Sequence, residues 1–386
     1  MIKKKLWVVT YNFHPVWAGP AERFLRYYEG LAERNIEVTY ITLLRKNQLY
    51  EEIYRGAKVI RLGNPEETSS IKKFIELTTK YTLKSEHKPD TFLVLLADNF
   101  NASNIRRLSF EGIKTVYVNT MAFKLSNSRN ILRRWASKYF NYRFFKSFDT
   151  IVCSTEILKE PIINLGINQN KVKIISNGVS LDRFCPAKDN NERQSIRNAF
   201  KLPDDEPIVI FVGLRVERKG VIDLVKSWQI YKEKGGKGYL LMVGDEQRKN
   251  PIFTTFYEKW DKILATIKEE DRIIIHPPSS EIEKYFKISK LFVFLSKQEG
   301  MPNVIAESMA SGCPVITTKF EGFSDTWGKN EKQLLVVNRE HNEIATKIAT
   351  IINDEEYYRS IQKAALEFVA KEHAIDCTLE KYASLV

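Results

Sequence analysis

Two glutamates eight positions apart, Glu299 and Glu307, lie in a stretch whose residue types suit the binding of a phosphate and neighbouring hydroxyls. The apolar run 291–295 precedes them and predicts a buried parallel strand. Pro302 begins the helix predicted over 302–311, whose first turn offers free N–H groups and partial positive charge to a phosphate. The two carboxylates can accept hydrogen bonds from vicinal hydroxyls. The stretch therefore predicts a site for a phosphate flanked by two polyols, which is the chemistry of a sugar nucleotide.

A second candidate is the basic turn between the predicted strand 208–212 and a helix that begins near Gly220. Arg218 and Lys219 lie where that helix starts, and a cation there opposes the helix dipole by about 0.3–1 kcal/mol. This placement indicates an anion nearby, and a solvated basic turn is the alternative interpretation. Arg215 lies in the same turn and is a further candidate for anion binding.

These loops need a scaffold that places them at the ends of strands. Short apolar runs alternate with helical segments along the chain, which is typical of α/β folds with parallel sheets. The alternation is interrupted over the charged stretch 186–207, which we interpret as a linker, and then restarts. Two domains are therefore predicted, 1–190 and 191–376. Ligands of such doubly wound sheets bind beyond the carboxyl ends of the strands, so we expect a cleft between the domains.

The positive charge of the chain lies in its first half. Residues 1–190 contain 31 Lys and Arg against 18 Asp and Glu, while the remainder is nearly neutral, for a net charge of +12. This asymmetry predicts an anionic partner for the first half. The four cysteines show no metal-binding or redox spacing, which favours a reducing, cytoplasmic compartment. No apolar run approaches the roughly 20 residues that span a bilayer.

The segment 123–148 combines cations with aromatic residues and contains no acid before Asp149. Its cations are Lys124, Arg129, Arg133, Arg134, Lys138, Arg143 and Lys146. Interleaved cations and aromatics are typical of a helix on an anionic membrane surface. The alternative is a helix with an aromatic core face and a solvated basic face, and nucleic acid is disfavoured as a partner. Arg129, Arg133, Arg134 and Lys138 are therefore candidates for contact with a membrane or an acceptor.

From Glu307 the chain reads Glu-Ser-Met-Ala-Ser-Gly-Cys-Pro-Val. With Glu299 eight positions earlier, this stretch resembles the Glu-x7-Glu signature of glycosyltransferase family 4, whose members are retaining enzymes of the GT-B fold. The basic turn resembles the family's Gly-Arg-Leu…Lys-Gly segment, with Lys219 in register and Arg215 displaced by one position. Gly19 matches the first glycine of a Pro-x-x-Gly-Gly loop, and Pro20 replaces the second.

The resemblance extends from Pro15 to Val315 and implies an α/β GT-B fold. This fold has two Rossmann-like, doubly wound parallel-sheet domains that face each other across a cleft. The first domain would bind the acceptor and the second the donor, with the last helix, about 377–386, packing back on the first.

The resemblance also assigns roles in donor binding. Glu307 would bind the ribose hydroxyls, and Glu299 the hydroxyls of the donor sugar. The diphosphate would be held by Gly19, Arg215, Lys219 and the start of the helix at Met301, Pro302, Asn303 and Val304.

Asn119 stands where the family often has a histidine near the reactive carbon of the sugar. An amide is not a base, but it can donate a hydrogen bond to a sugar hydroxyl. In retaining transfer by front-side attack, the leaving phosphate oxygen accepts the acceptor's proton, so no protein base is required. Glu299 and Asn119 are therefore the expected catalytic residues.

The sequence contains no Asp-x-Asp pair of the kind that holds a divalent metal on a diphosphate. Cationic side chains can supply that charge instead, so we expect a metal-independent enzyme without a cofactor. The resulting hypothesis is a cytoplasmic, retaining hexosyltransferase, peripheral on the inner face of the membrane. It would transfer a sugar from a nucleotide donor to an anionic or lipid-linked glycan in cell-surface polysaccharide synthesis.

Two alternatives stay open. The substitution at Asn119 allows a catalytically silent subunit that binds sugar nucleotide and membrane. A GT-B sugar-nucleotide epimerase or hydrolase would use the same donor site. A dehydrogenase is disfavoured because no Gly-x-Gly-x-x-Gly follows a strand.

Overall fold

The computed structural model describes residues 3–16, 19–65, 71–95, 102–119, 131–203, 206–299 and 301–386. They form two compact units. The first unit comprises Met1–Gly178 together with Ile375–Val386, and the second comprises Val179–Ala374. The units therefore divide after Gly178, whereas the sequence places the boundary near residue 190.

The first unit contains an eight-stranded sheet in which β3 alone, among the described strands, is antiparallel to its neighbour. The strand order is β3-β4-β2-β1-β5-β6-β7-β8. The strands are β1 Lys4–Val9, β2 Ile36–Leu43, β3 Glu51–Tyr54, β4 Ala57–Leu62, β5 Thr91–Val94, β6 Lys114–Asn119, β7 Thr150–Cys153 and β8 Val172–Ile174. The helices between them are α1 Gly19–Leu25, α2 Tyr28–Glu33, α3 Ile71–Lys84, α4 Ala102–Phe110, α5 Ile131–Lys146 and α6 Glu156–Asn164.

The central strands of this sheet are buried on both faces. In β1, for example, Val8 packs in one core cluster and Trp7 and Val9 pack in another. Burial on both faces explains why these strands are nearly continuous apolar runs rather than alternating ones.

The second unit contains a six-stranded parallel sheet of order β11-β10-β9-β12-β13-β14. The strands are β9 Ile208–Val212, β10 Tyr239–Val243, β11 Ile273–His276, β12 Leu291–Phe294, β13 Val315–Thr318 and β14 Leu335–Val337. The helices are α7 Asn190–Ala199, α8 Val221–Glu233, α9 Thr254–Leu264, α10 Ile282–Ile288, α11 Asn303–Ala310, α12 His341–Asn353 and α13 Glu355–Glu372. The strand order reverses between β9 and β12, which is where sheets of this type bind ligands.

The stretch 186–207 is not the plain linker that its composition predicts, because it contains α7. Asp189 caps this helix by accepting a hydrogen bond from the N–H of Glu192 at 2.8 Å. Ile196 is buried in the core of the second unit. Charged residues on the exposed face of a helix therefore concealed one element of the second unit.

The last helix, α14 Ile375–Ala383, completes the core of the first unit. Leu379, Tyr382 and Leu385 are buried there. A Cβ atom at Gly30 would lie 2.3 Å from Leu379 Cδ1, so a side chain on α2 at this position would force the Leu379 side chain of α14 to move. In the described part of the chain, no helix has both the length and the apolar character needed to cross a bilayer.

Candidate functional site

The loops that follow β9 and β12 come together at the point where the strand order of the second unit reverses. The two strands are parallel neighbours, with Leu291 paired to Val209 and Phe292 to Ile210. Their carboxyl ends therefore place the basic turn beside the loop that carries Glu299. The sequence treats these segments as two separate motifs, and the sheet brings them together.

Glu299 is the centre of a charged cluster in these loops. Its Oε1 atom lies 2.7 Å from Lys219 Nζ and 2.6 Å from Arg218 Nη1. Ser296 Oγ donates a hydrogen bond to the same oxygen at 2.6 Å. The side chains of Glu299 and Lys219 are each 12% exposed, whereas that of Arg218 is 48% exposed. Two cations thus meet one carboxylate, which leaves an excess positive charge at the ends of the strands.

Burial affects the protonation of Lys219 in this cluster. It lowers the pKa of Lys219 because the charged ammonium loses water, and the neighbouring carboxylate of Glu299 offsets part of that effect. The ammonium also lies 4.9 Å from the centre of the Phe294 ring. Because the effective dielectric constant around a desolvated ammonium is low, its attraction to an incoming phosphate is strong.

Gly220 allows the two loops to approach each other. It adopts a left-handed conformation with φ of 68° between a single 3₁₀ turn, Glu217–Lys219, and α8. A Cβ atom at this position would lie 2.3 Å from the carbonyl oxygen of Leu295. Any side chain would therefore push apart the loops that bring Lys219 to Glu299.

Arg215 is held elsewhere. Its Nη1 donates to the carbonyl of Gly244 at 2.6 Å, and its Nε lies 3.2 Å from Glu246 Oε1. Glu246 also accepts hydrogen bonds from Trp260 Nε1 and from Arg248. The sequence groups Arg215 with Lys219, but the structure commits its guanidinium to the loop after β10 and puts Arg218 beside Lys219 instead. The identities of the residues alone do not reveal this choice, because both arginines occupy the same turn.

Glu307 lies on α11, just after this cluster. Asn303 and Glu307 are four positions apart, so they share one face of the helix. Glu307 is only 8% exposed. Side-chain hydrogen bonds fix the helix, with Ser308 Oγ donating to the carbonyl of Cys313 and Ser311 Oγ to that of Glu307. The helix begins at Asn303, one residue later than predicted, and Val304 follows in its first turn. Pro302 is the extended N-cap residue, Met301 precedes it, and Gly300 lies outside the described residues.

Asn119 is the last residue of β6 in the first unit and is buried. Its Nδ2 donates to the carbonyl of Leu158 at 3.4 Å and lies 4.0 Å from Cys153 Sγ. Burial also raises the pKa of Cys153 to about 12, so that thiol stays protonated. The amide thus has a local structural partner, and its catalytic role stays a prediction. Gly19, also in this unit, is the first residue of α1.

The helix α5 has a buried aromatic part near its end and an exposed face of basic and aromatic residues near its start. Phe145, near its end, and Phe148, just beyond it, are buried in the core. Arg133 and Lys138 are exposed, as are several large apolar side chains near the start of the helix, namely Leu132, Trp135, Tyr139 and Phe140. Arg129 and the side chain of Arg134 lie outside the described residues.

Sequence reasoning assigned no contact to Ser296, although its hydroxyl orients Glu299. A small hydroxyl residue directly after an apolar run is the signal that points to it.

Within the described residues, no group of three or more His, Cys, Asp or Glu side chains is arranged to hold a metal ion.

Two family models match almost end to end along the chain. The model described as "Glycosyltransferase Family 4" matches residues 17–183, and that described as "Glycosyl transferases group 1" matches residues 192–368.

Three curated relatives illustrate the range of similarity. The capsular polysaccharide biosynthesis glycosyltransferase CapM of Staphylococcus aureus is 31% identical over 55% of this chain, and the match spans about half of CapM, 54%. The lipopolysaccharide core biosynthesis glycosyltransferase LpsE of Rhizobium meliloti is 25% identical over 97% of this chain and 98% of LpsE. The N,N'-diacetylbacillosaminyl-diphospho-undecaprenol alpha-1,3-N-acetylgalactosaminyltransferase of Campylobacter jejuni is 23% identical over 75% of this chain and 72% of its own.

Solved structures share the fold over nearly the whole chain. A glycosyltransferase from Rickettsia africae superimposes with a TM-score of 0.79 at 18% identity, covering 99% of this chain and 97% of its own. HepE from Anabaena, solved in complex with UDP and glucose, gives a TM-score of 0.74 at 15% identity and covers 99% of this chain and 98% of its own. The predicted GT-B fold class is confirmed.

Proposed function

The chain belongs to glycosyltransferase family 4, and we propose that it is a retaining hexosyltransferase that takes its sugar from a nucleotide donor. The observation that carries this proposal is the cluster of Lys219, Arg218 and Glu299 at the strand reversal, directly before α11. It offers cations for a diphosphate and a carboxylate for hydroxyls within one small site. HepE, which shares the fold, was solved with UDP and glucose.

Each group of the site receives a role. Lys219 and Arg218 bind the diphosphate together with the first N–H groups of α11, at Asn303 and Val304. Pro302, the N-cap residue, has no N–H to offer the phosphate. Arg215, held by Glu246, supports the turn that carries Lys219.

The two glutamates bind the hydroxyl groups of the donor. Glu307 binds those of the ribose. Glu299 gives up its ion pairs as the diphosphate arrives and then accepts hydrogen bonds from the sugar. Gly19 and Asn119 in the first unit are assigned to the phosphate and the sugar hydroxyls, as the family resemblance implies.

The chemistry follows from where the charge develops. When the bond between sugar and phosphate breaks, negative charge accumulates on the leaving diphosphate, and Lys219 and Arg218 stabilise it. The leaving oxygen then accepts the proton of the attacking hydroxyl on the same face of the sugar. This front-side course retains the anomeric configuration and needs no base from the protein. Since the two cations supply the charge, we propose that transfer is independent of divalent metal.

The acceptor is proposed to be an anionic or lipid-linked glycan in cell-surface polysaccharide synthesis. The names of CapM and LpsE refer to capsular polysaccharide and lipopolysaccharide core, and that of the Campylobacter relative refers to a diphospho-undecaprenol acceptor. The exposed aromatic and basic face of α5 supports binding to an anionic membrane, because Trp135 and Phe140 are 69% and 68% exposed beside Arg133 and Lys138. This would place the protein peripherally on the cytoplasmic face of the membrane.

The proposal is tested first by calorimetry against a panel of sugar nucleotides and then by transfer assays with lipid-linked acceptors. We expect binding of one nucleotide class, transfer that persists in EDTA, and a product with the anomeric configuration of the donor by NMR. Inversion would contradict the retaining course. Binding without turnover would favour the silent subunit, and nucleotide release without acceptor, faster than background, would favour the epimerase or hydrolase.

A further inference from the structure

An arginine just beyond β14 reaches across the carboxyl ends of two neighbouring strands. Arg339 Nη1 donates to the carbonyl of Leu295 at 2.9 Å, and Nη2 donates to the carbonyl of Ser296 at 2.6 Å. Nη2 also lies 3.3 Å from Thr318 Oγ1, and this hydroxyl in turn donates to the carbonyl of Ser296 at 3.0 Å. Leu295 and Ser296 follow β12, and Thr318 ends β13. The guanidinium therefore fixes the backbone at the start of the Glu299 loop.

The backbone that Arg339 holds has little room to move. The carbonyl oxygen of Leu295 would lie 2.3 Å from a Cβ atom at Gly220, so the basic turn already lies against it. The N–H of Lys297 donates to the carbonyl of Arg218 at 2.7 Å and ties the two loops together again. The position of this backbone therefore determines the position of the basic turn.

The restraint also reaches the charged cluster through the hydroxyl of Ser296. Ser296 is fully buried, and its Oγ donates to Glu299 Oε1 at 2.6 Å. The same oxygen lies beside the ammonium of Lys219 and the guanidinium of Arg218. A shift of the Ser296 carbonyl would also move the Ser296 hydroxyl. Glu299 Oε1 would then move away from the position at which Lys219 and Arg218 both contact it.

Arg339 is itself held in place by an acidic residue. Asp223 lies in the first turn of α8, and its Oδ2 atom is 3.7 Å from Arg339 Nη1. Its other carboxylate oxygen, Oδ1, lies 3.2 Å from His341 Nε2. Burial lowers the pKa of Arg339, and the Asp223 carboxylate opposes that change. A planar guanidinium can donate to two carbonyls at once, whereas the single ammonium of a lysine cannot reproduce that fork.

We propose that Arg339 is a positioning residue for the donor site: acting through Ser296 and Glu299, it sets the spacing of the groups that bind the diphosphate and the sugar. This assignment rests on the function proposed above for that site. A misplacement of about 1 Å can lower a rate by about a hundredfold. We therefore expect Arg339→Met to lower kcat by about tenfold or more while changing nucleoside diphosphate affinity less.

The second unit offers a matched control. Arg197 also donates to two backbone carbonyls, those of Pro203 and Glu206, which precede β9, whereas the charged cluster follows the carboxyl ends of β9 and β12. Arg197→Met removes comparable hydrogen bonds, so it should lower the melting temperature to a similar degree. We expect the kcat and the diphosphate affinity of Arg197→Met to stay within about twofold of wild type. Changes at well-separated sites that share no partners act independently of each other.

The experiment measures melting temperature, nucleoside diphosphate affinity by calorimetry, and kcat and KM for the sugar nucleotide in wild type, Arg339→Met, Arg339→Lys and Arg197→Met. Methylguanidinium added to Arg339→Ala should restore part of kcat, because it can donate to the same two carbonyls. If Arg339→Met fails to fold, Thr318→Val, which removes the neighbouring contact to Ser296, is measured instead and should show the same loss of kcat.

A wild-type kcat in the Arg339 variants, or an equal loss of kcat in Arg197→Met, would overturn the assignment. Failure of the wild-type protein to bind any nucleoside diphosphate would overturn the proposed function itself. The two failures are distinguishable because wild-type binding is measured first and independently.

Discussion

The two units of the molecule hold their charged groups in opposite ways. In the second unit, Lys219 and Glu299 are nearly buried and lie within hydrogen-bond distance of each other. In the first unit, Arg133 and Lys138 are exposed on α5 among aromatic side chains. Yet it is the first half of the chain that carries the whole positive excess. The proposed phosphate site therefore lies in the half that net charge would not single out.

The difference teaches what each arrangement suits. A few charges held rigidly away from water interact strongly with one small anion, because the effective dielectric constant there is low. Exposed cations act additively and weakly, which suits an extended anionic surface. Loss of one buried charged group of the proposed donor site should therefore have a large effect on donor binding or use, and each change on α5 should weaken membrane binding by a small step.

The largest effect is expected from Glu307→Ala. Two lost hydrogen bonds to a charged acceptor, each worth about 1.5–3 kcal/mol, lower kcat/KM for the donor by roughly a hundredfold or more. The measurement is steady-state transfer with the donor varied. Glu340→Ala, which truncates an exposed glutamate of the same unit, should keep wild-type turnover. Undiminished transfer by Glu307→Ala would remove the reason for assigning it to the ribose.

Lys219→Ala should weaken binding of a nucleoside diphosphate by about tenfold to a hundredfold, which corresponds to one charged hydrogen bond. Binding of the free nucleoside should not change, because the ammonium has no role towards it. Calorimetry with both ligands separates the two effects. Lys297→Ala is the matched control, since this lysine lies in the neighbouring loop but pairs with Glu217. An equal loss for nucleoside and diphosphate would contradict the phosphate role.

On the first unit, the double change Arg133→Glu and Lys138→Glu should release the protein from anionic liposomes, since each cation near such a surface contributes about 1 kcal/mol. Co-sedimentation at low and raised salt measures this effect, and donor binding should survive. Lys259→Glu with Lys262→Glu, a double reversal on exposed residues of α9, controls for net charge. If wild type binds neutral and anionic liposomes alike, or neither, α5 is better assigned to a soluble acceptor.

The smallest effect expected is on pH dependence. The pKa of Lys219 is lowered from 10.5 by burial, so the folded protein loses this proton before the unfolded chain does. Diphosphate affinity should thus fall a few-fold as pH rises through the lowered pKa. Between the lowered pKa of Lys219 in the folded protein and its ordinary pKa in the unfolded chain, the unfolded chain binds more protons than the folded protein. The contribution of Lys219 to the free energy of unfolding therefore rises with pH over this interval. Calorimetry and thermal melts across the alkaline range should show the two opposite trends in wild type and neither in Lys219→Met.

The sequence predicts the parts of this molecule that follow from pattern. The apolar run that forms β12 and the helix α11 after it lie where expected, because buried parallel strands and helix starts have strong local signals. The start of α14 at Ile375 is also close to the expected position near 377. These features depend on residues that are neighbours in sequence.

What the sequence did not predict depends on contacts between distant residues. Whether Arg215 or Arg218 joins Lys219 depends on the position of Glu246, 31 residues after Arg215 in the chain. Asn119 ends β6, and its amide donates to the carbonyl of Leu158 on another element. The direction of a long side chain depends on its neighbours in the folded protein, and a single sequence does not identify those neighbours.

The placement of α14 has a consequence for biosynthesis. The core of the first unit includes Leu379 and Tyr382, which the ribosome adds only after the whole of Val179–Ala374 has been made. The second unit has its own sheet and core and can fold as soon as it emerges, whereas the first unit must wait with an apolar surface uncovered around Phe24 and Gly30. During translation the order of maturation is therefore the reverse of the order of synthesis, and the first unit is the one that most needs protection by chaperones.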